Sequence, residues 1–148
     1  MTSLEIRYSV GNEHNPVDAW GRSELVIGAD GRARLDQYFS RGRERRAWAG
    51  QVDAAALGEL LAALDRAGFP AVPPLPDLLP DTALRVLTVE RDGVARQVVT
   101  GWHDASSLPG YAEAFDLMDA VVRQLSEGAV GYPTKRGPVT HGVVAVQP

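Results

Sequence analysis

Twice along this chain an Asp-Gly pair separates two runs of strand-forming residues, and both times an amphipathic helical pattern follows. The first pair is Asp30-Gly31, between residues 24–27 and 32–39. The second is Asp92-Gly93, between residues 83–91 and 94–102. Asp-Gly suits a tight hairpin, because both residue types tolerate the positive φ that such turns need. Hairpins make antiparallel sheet, and a helix with one apolar stripe needs a sheet face to cover. This order of patterns leaves few architectures open.

The remaining strands follow from alternation. Leu4, Ile6, Tyr8 and Val10 fall on one side of residues 4–10, and Glu5, Arg7 and Ser9 on the other. Period two over this length marks a half-buried strand. Residues 45–51 extend the first hairpin into a meander, with Trp48 as the large side chain. Leu84, Val86, Leu87, Val89, Val98 and Val99 make the second hairpin apolar enough to be expected in the middle of a sheet.

The first helix is bounded at both ends. Asp53 is an N-cap, Val52 and Leu57 form a hydrophobic staple, and Leu57, Leu60, Leu61 and Leu64 repeat at helical spacing. Gly68 supplies a left-handed terminator, Phe69 folds back onto Leu64, and Pro70 stops the run. The second helix spans about residues 109–126, from Pro109 toward Gly128, with Tyr111, Phe115, Met118, Val122 and Leu125 as its stripe. Five prolines between residues 70 and 80 indicate a rigid connection rather than an interdomain linker.

The predicted fold class is therefore α+β. An antiparallel sheet of about five to seven strands carries two helices on one face, in the order β-βββα-ββα-tail. One domain is expected over residues 1–128, with residues 129–148 as a tail that includes a late strand over 139–146. The Asp-Gly hairpin, the Leu-x-x-Leu-Leu helix and the Gly68-Phe69-Pro70 stop, followed by a second hairpin and helix, resemble small uncharacterised bacterial α+β domains over about residues 23–126. That resemblance implies the fold and brings no chemistry with it.

Composition narrows function mainly by exclusion. The 148 residues contain no cysteine, so disulfides, thiolate metal sites and cysteine nucleophiles are excluded. The N-terminus has no signal-peptide pattern, and a cytoplasmic bacterial protein, with no membrane association, is expected. The net charge is −4, which argues against a general nucleic-acid binder. Walker, Rossmann, nucleophile-elbow, EF-hand and zinc-helix motifs are all missing from the sequence. His14, His103 and His141 are dispersed and have no metal-ligand spacing. No cofactor, no metal and no catalytic constellation is predicted.

Two segments could make contacts. Trp102-His103-Asp104 follows a strand and precedes a helix, where a loop could present an acid–base group. Against this, adjacent residues seldom point the same way, and a surface histidine is usually idle. Residues 41–46 hold four arginines and a glutamate beside Trp48. Arginine forks suit an anion, but a charged strand edge is also a common guard against aggregation. In a strand Arg43 and Arg45 share one face, while Arg46 and Trp48 share the other.

The leading expectation is a non-enzymatic binding or interaction domain whose partner is a protein or a small anionic ligand. A homodimer remains open. The first alternative is a small enzyme or ligand-binding protein with a pocket near Trp102 and His103. The second is a nucleic-acid-associated protein using the Arg41–Arg46 edge.

Overall fold

The computed structural model describes residues 3–11, 21–38, 45–70, 84–101, 111–127, 130 and 143–146. Among these residues nine elements run in the order β1 (Leu4–Gly11), β2 (Arg22–Gly28), β3 (Arg32–Tyr38), β4 (Arg45–Val52), α1 (Ala54–Ala67), β5 (Leu84–Arg91), β6 (Val94–Gly101), α2 (Tyr111–Leu125) and β7 (Val143–Val146). The strands form one seven-stranded sheet, ordered β6-β5-β1-β2-β3-β4-β7, and every pairing is antiparallel. The α+β class, the hairpins and the two helices agree with the sequence reading. The late strand is realised over four residues.

Alternation sorts the sheet into two faces. Ile6, Tyr8, Val10, Leu25, Ile27, Ala33, Leu35, Leu87, Val89 and Val98 are buried, and they join the buried residues of both helices in one core. The intervening positions are half-buried or exposed and mostly polar, among them the exposed Arg7, Arg34 and Gln97. One covered face and one polar face is the pattern expected when helices pack on a single side of an antiparallel sheet.

Both helices follow their signals, with two differences. The Asp53 carboxylate accepts a hydrogen bond from the Ala56 amide at 2.8 Å, which satisfies a free donor of the first turn. At the other end Gly68 has φ 83°, the Gly68 amide donates to the Asp65 carbonyl and the Phe69 amide to the Leu64 carbonyl. This is the Schellman arrangement, with Phe69 packed on the core. However, Leu61 is only partly buried, and small Ala56 and Ala63 complete the inner stripe with Leu57, Leu60 and Leu64. The expected stripe of α2 is buried in full, but so are Ala114, Leu117, Asp119, Ala120 and Val121. α2 packs against α1, β4 and β7 as well as the core, so it is enclosed rather than amphipathic in environment. Pro109 and Gly128 lie outside the described residues; the left-handed residue after α2 is Glu127, at φ 54°.

The two Asp-Gly hairpins differ in geometry. In the second, Asp92 (φ 52°) and Gly93 (φ 82°) both take positive φ and join the paired residues Arg91 and Val94, as a type I′ turn requires. In the first, the Gly31 amide donates to the Gly28 carbonyl and only Gly31 (φ 81°) is left-handed, which resembles a turn closed by a glycine bulge. The two Asp-Gly pairs thus share a sequence signal but not a conformation. A Cβ on Gly31 would also sit 2.0 Å from the Val52 carbonyl oxygen, beside the 2.8 Å bond from the Val52 amide to the Gly31 carbonyl. Gly31→Ala is expected to lower stability by about 2 kcal/mol or more, from the backbone conformation and the strained bond together. Urea denaturation measures this; an unchanged midpoint would contradict it.

Two expectations about strand position are corrected. The second hairpin does not sit mid-sheet as a unit: β5 is internal, but β6 is an edge strand. The arginine-bearing strand β4 is not the edge, because β7 pairs with its Ala49–Val52 half.

Candidate binding groove at the open sheet edge

Of the predicted contact residues, Arg45, Arg46 and Trp48 are among the described residues. Trp102, His103 and Arg43 lie outside the described residues, as do His14 and His141. Arg45 and Arg46 point to opposite faces, as alternation requires. Arg45 lies on the polar face, 3.1 Å from Asp36 and over the Tyr38 ring. Arg46 lies on the helix side with its guanidinium 4.8 Å from the Trp48 ring centroid, and Trp48 packs partly against the core. Each of these arginines already has a partner within the domain.

The polar face is laced with such pairs. Arg7 meets Glu5, Arg22 meets Glu24, and Asp36 accepts from both Arg34 and Arg45. Hydrogen bonding from Arg34, and then from Arg45, holds the Asp36 carboxyl below its usual range despite partial burial. A depressed folded-state value means that the stabilisation is present above the unfolded-state value and is lost as pH falls through the folded one. Asp36→Asn is therefore expected to flatten the acid limb of stability against pH, below about pH 4. Urea midpoints across that limb check it, and parallel curves for the two proteins would contradict it.

A polar network that the sequence reading did not single out lies under α2. Arg85 of β5 and Asp119 of α2 form an ion pair at 2.8 Å, with both side chains almost wholly buried. The Tyr8 hydroxyl donates to Asp119 at 2.7 Å and accepts from Arg85, closing a ring of three hydrogen bonds. Phe115, one turn before Asp119, lies under the Arg85 guanidinium at 5.5 Å and stacks on Tyr8. Burial pushes the Tyr8 phenol well above its ordinary value, and the Asp119 charge adds to this, so Tyr8 is a neutral donor. Burial also raises the Asp119 carboxyl, opposed by Arg85. Sheet register sets Thr100, Arg85, Val10, Ser23 and Gln37 in one line across the sheet; all are buried, and all but Val10 are polar. This network is internal; it ties α2 to the sheet.

A concave feature among the described residues lies toward the other end of β5. A groove of about 310 Å³ runs between the end of α1 and the β5–β6 hairpin. Leu64, Phe69, Pro70, Val89 and Val94 supply its apolar lining, and Asp65, Arg91 and Arg96 its charge. Val94 and Val99 are the exposed large hydrophobics among the described residues, and both belong to β6. Unlike the arginines of the polar face, Arg91 and Arg96 have no carboxylate partner among the described residues, and both are exposed.

The backbone of β6 is also open. A two-residue hairpin closes on a hydrogen-bonded pair, here Arg91 and Val94, and such pairs recur at every second residue. Val94, Arg96 and Val98 therefore turn their amides toward β5. Ala95, Gln97 and Val99 turn theirs outward, where the described residues place no further strand.

No family model and no curated protein matches this chain. Among the described residues no three His, Cys, Asp or Glu side chains group as metal ligands, and no helix is long and apolar enough to cross a membrane.

Proposed function

We propose that this chain is a binding domain that takes up an extended segment of a partner protein along β6. The observation that carries the reading is the edge that the described residues leave open: eight residues long, with exposed Val94 and Val99, beside an apolar groove. Natural proteins usually blunt such an edge with charge, proline or a bulge, because free strand amides recruit other chains. β6 carries one arginine and no proline or lysine. An edge left open in this way suits strand addition, in which main-chain hydrogen bonds give affinity and alternate side chains give specificity. Among the described residues the opposite edge, β7, is half as long.

The arginine segment gives less support to a nucleic-acid role. Arg45 and Arg46 diverge, and each is engaged by Asp36 or Trp48. The reading keeps the cytoplasmic setting expected from a cysteine-free chain and requires no catalytic group.

The test is selection of random twelve-residue peptides against the folded domain, repeated with Gln97→Pro. Proline removes one outward amide at a position where an edge strand tolerates it. Selected peptides that bind the parent and lose at least ten-fold in affinity for Gln97→Pro are the expected result. Binders indifferent to that substitution, or none at all, would overturn the reading.

A further inference from the structure

We infer that the segment taken up along β6 is acidic, with a carboxylate side chain seated against Arg96 on the sheet face where Arg91 also stands, beside the apolar groove. The inference rests on the strand-addition reading and adds the partner's chemistry to it.

Register places both arginines on the helix side of the sheet. Arg96 pairs with Val89, and Arg91 with Val94; the buried side of β5 runs through Arg85, Leu87 and Val89. Arg91 and Arg96 thus stand two rungs of one face apart, and both line the groove. A strand added outside β6 would pair with Ala95, Gln97 and Val99 through its backbone. Its residue opposite Arg96 would direct its side chain to that same face, because side chains on neighbouring strands share a face at paired positions. An acidic residue there meets Arg96 directly, while Arg91 stands one strand further in, across Val94, and adds positive charge to the same face; apolar neighbours two residues away meet Val94. A basic residue at that position would face Arg96 directly, which disfavours it by repulsion. Asp65, the only acid of the lining, belongs to α1 and leaves the strand side of the groove positive.

The remaining arginines of the sheet strands sharpen the contrast. Arg7, Arg22, Arg32, Arg34, Arg45 and Arg85 each have a carboxylate partner within the chain. Arg46 lies over Trp48. Among the described residues the groove arginines meet no carboxylate, which leaves them for an external one. A second copy of this chain fits less well, because two β6 strands brought together would set Arg96 of each near the other's basic, acid-free strand face.

Three fluorescein-labelled ten-residue peptides test this by anisotropy: threonine alternating with glutamate, with glutamine, or with lysine. The expected result is that the glutamate peptide binds at least ten-fold more tightly than either other peptide, and more weakly as salt is raised. The Arg91→Glu/Arg96→Glu variant, whose altered side chains are exposed, should lose the glutamate peptide and gain the lysine peptide. Equal binding of all three peptides would overturn the acidic preference while leaving strand addition standing. Binding of none would overturn both. A sedimenting dimer dissociated by Gln97→Pro would assign the edge to a second copy and overturn the inference.

Discussion

Asp119→Ala is expected to lower unfolding free energy by about 3–5 kcal/mol, the usual effect of removing one partner from a buried ion pair. The substitution strands the Arg85 guanidinium under α2 and leaves the Tyr8 hydroxyl without its acceptor. Both groups would then be desolvated without compensation. Asp119→Asn should cost less, because its carbonyl can still accept from Tyr8. The double change Asp119→Leu/Arg85→Met should recover much of the loss, since apolar residues of similar volume often replace a buried pair without penalty. Chemical denaturation of Asp119→Leu, Arg85→Met and the double variant measures the coupling directly. Additive losses would show that the pair does not act as a unit.

Phe115→Ala carries the second large effect, about 3–5 kcal/mol for an aromatic core truncation. Its ring stacks between Tyr8, with centroids 5.8 Å apart, and Tyr111, 6.0 Å apart. It is also the surface over which the Arg85 guanidinium lies. The loss therefore combines a cavity with two aromatic contacts, and it loosens the same arginine that Asp119 holds. Phe115→Leu, which fills part of the space, should fall well below the alanine value. Urea melts decide this; equal losses for the two variants would mean that ring contacts, not volume, set the cost.

Both residues explain how much of the molecule was legible in sequence. The phase of each element could be read locally. Tyr111, Phe115, Met118, Val122 and Leu125 announce the buried side of α2, and Asp119 stands one turn beyond Phe115 on that side. Arg85 stands two residues before Leu87 and four before Val89, on the buried phase of β5. The signal for both buried charges was thus present as a charge in phase with an apolar pattern. Their pairing was not, because it depends on where β5 inserts.

That insertion is the nonlocal fact. After the β1–β4 meander and α1, the chain returns to the far side of β1, and β7 later closes on β4. Hairpin chemistry fixes which strands are neighbours in sequence and is silent on which strands become edges. The apolar content of residues 84–101 therefore suggested a central hairpin, whereas the structure exposes Val94 and Val99 at the boundary. The arginines of β4 suggested a guarded edge, whereas β7 covers half of that strand. The candidate groove was invisible for the same reason, since Arg91 and Arg96 meet Leu64 and Phe69 only through tertiary packing.

Residue-resolved amide hydrogen exchange by NMR tests the central claim most directly. In the free domain the Arg96 and Val98 amides, bonded to β5, should be protected, while those of Ala95, Gln97 and Val99 exchange freely. Saturation with the glutamate–threonine peptide should protect these three and leave their neighbours unchanged. Protection of Ala95, Gln97 and Val99 in the free monomer, or no gain in protection when the peptide is bound, would contradict strand addition at β6.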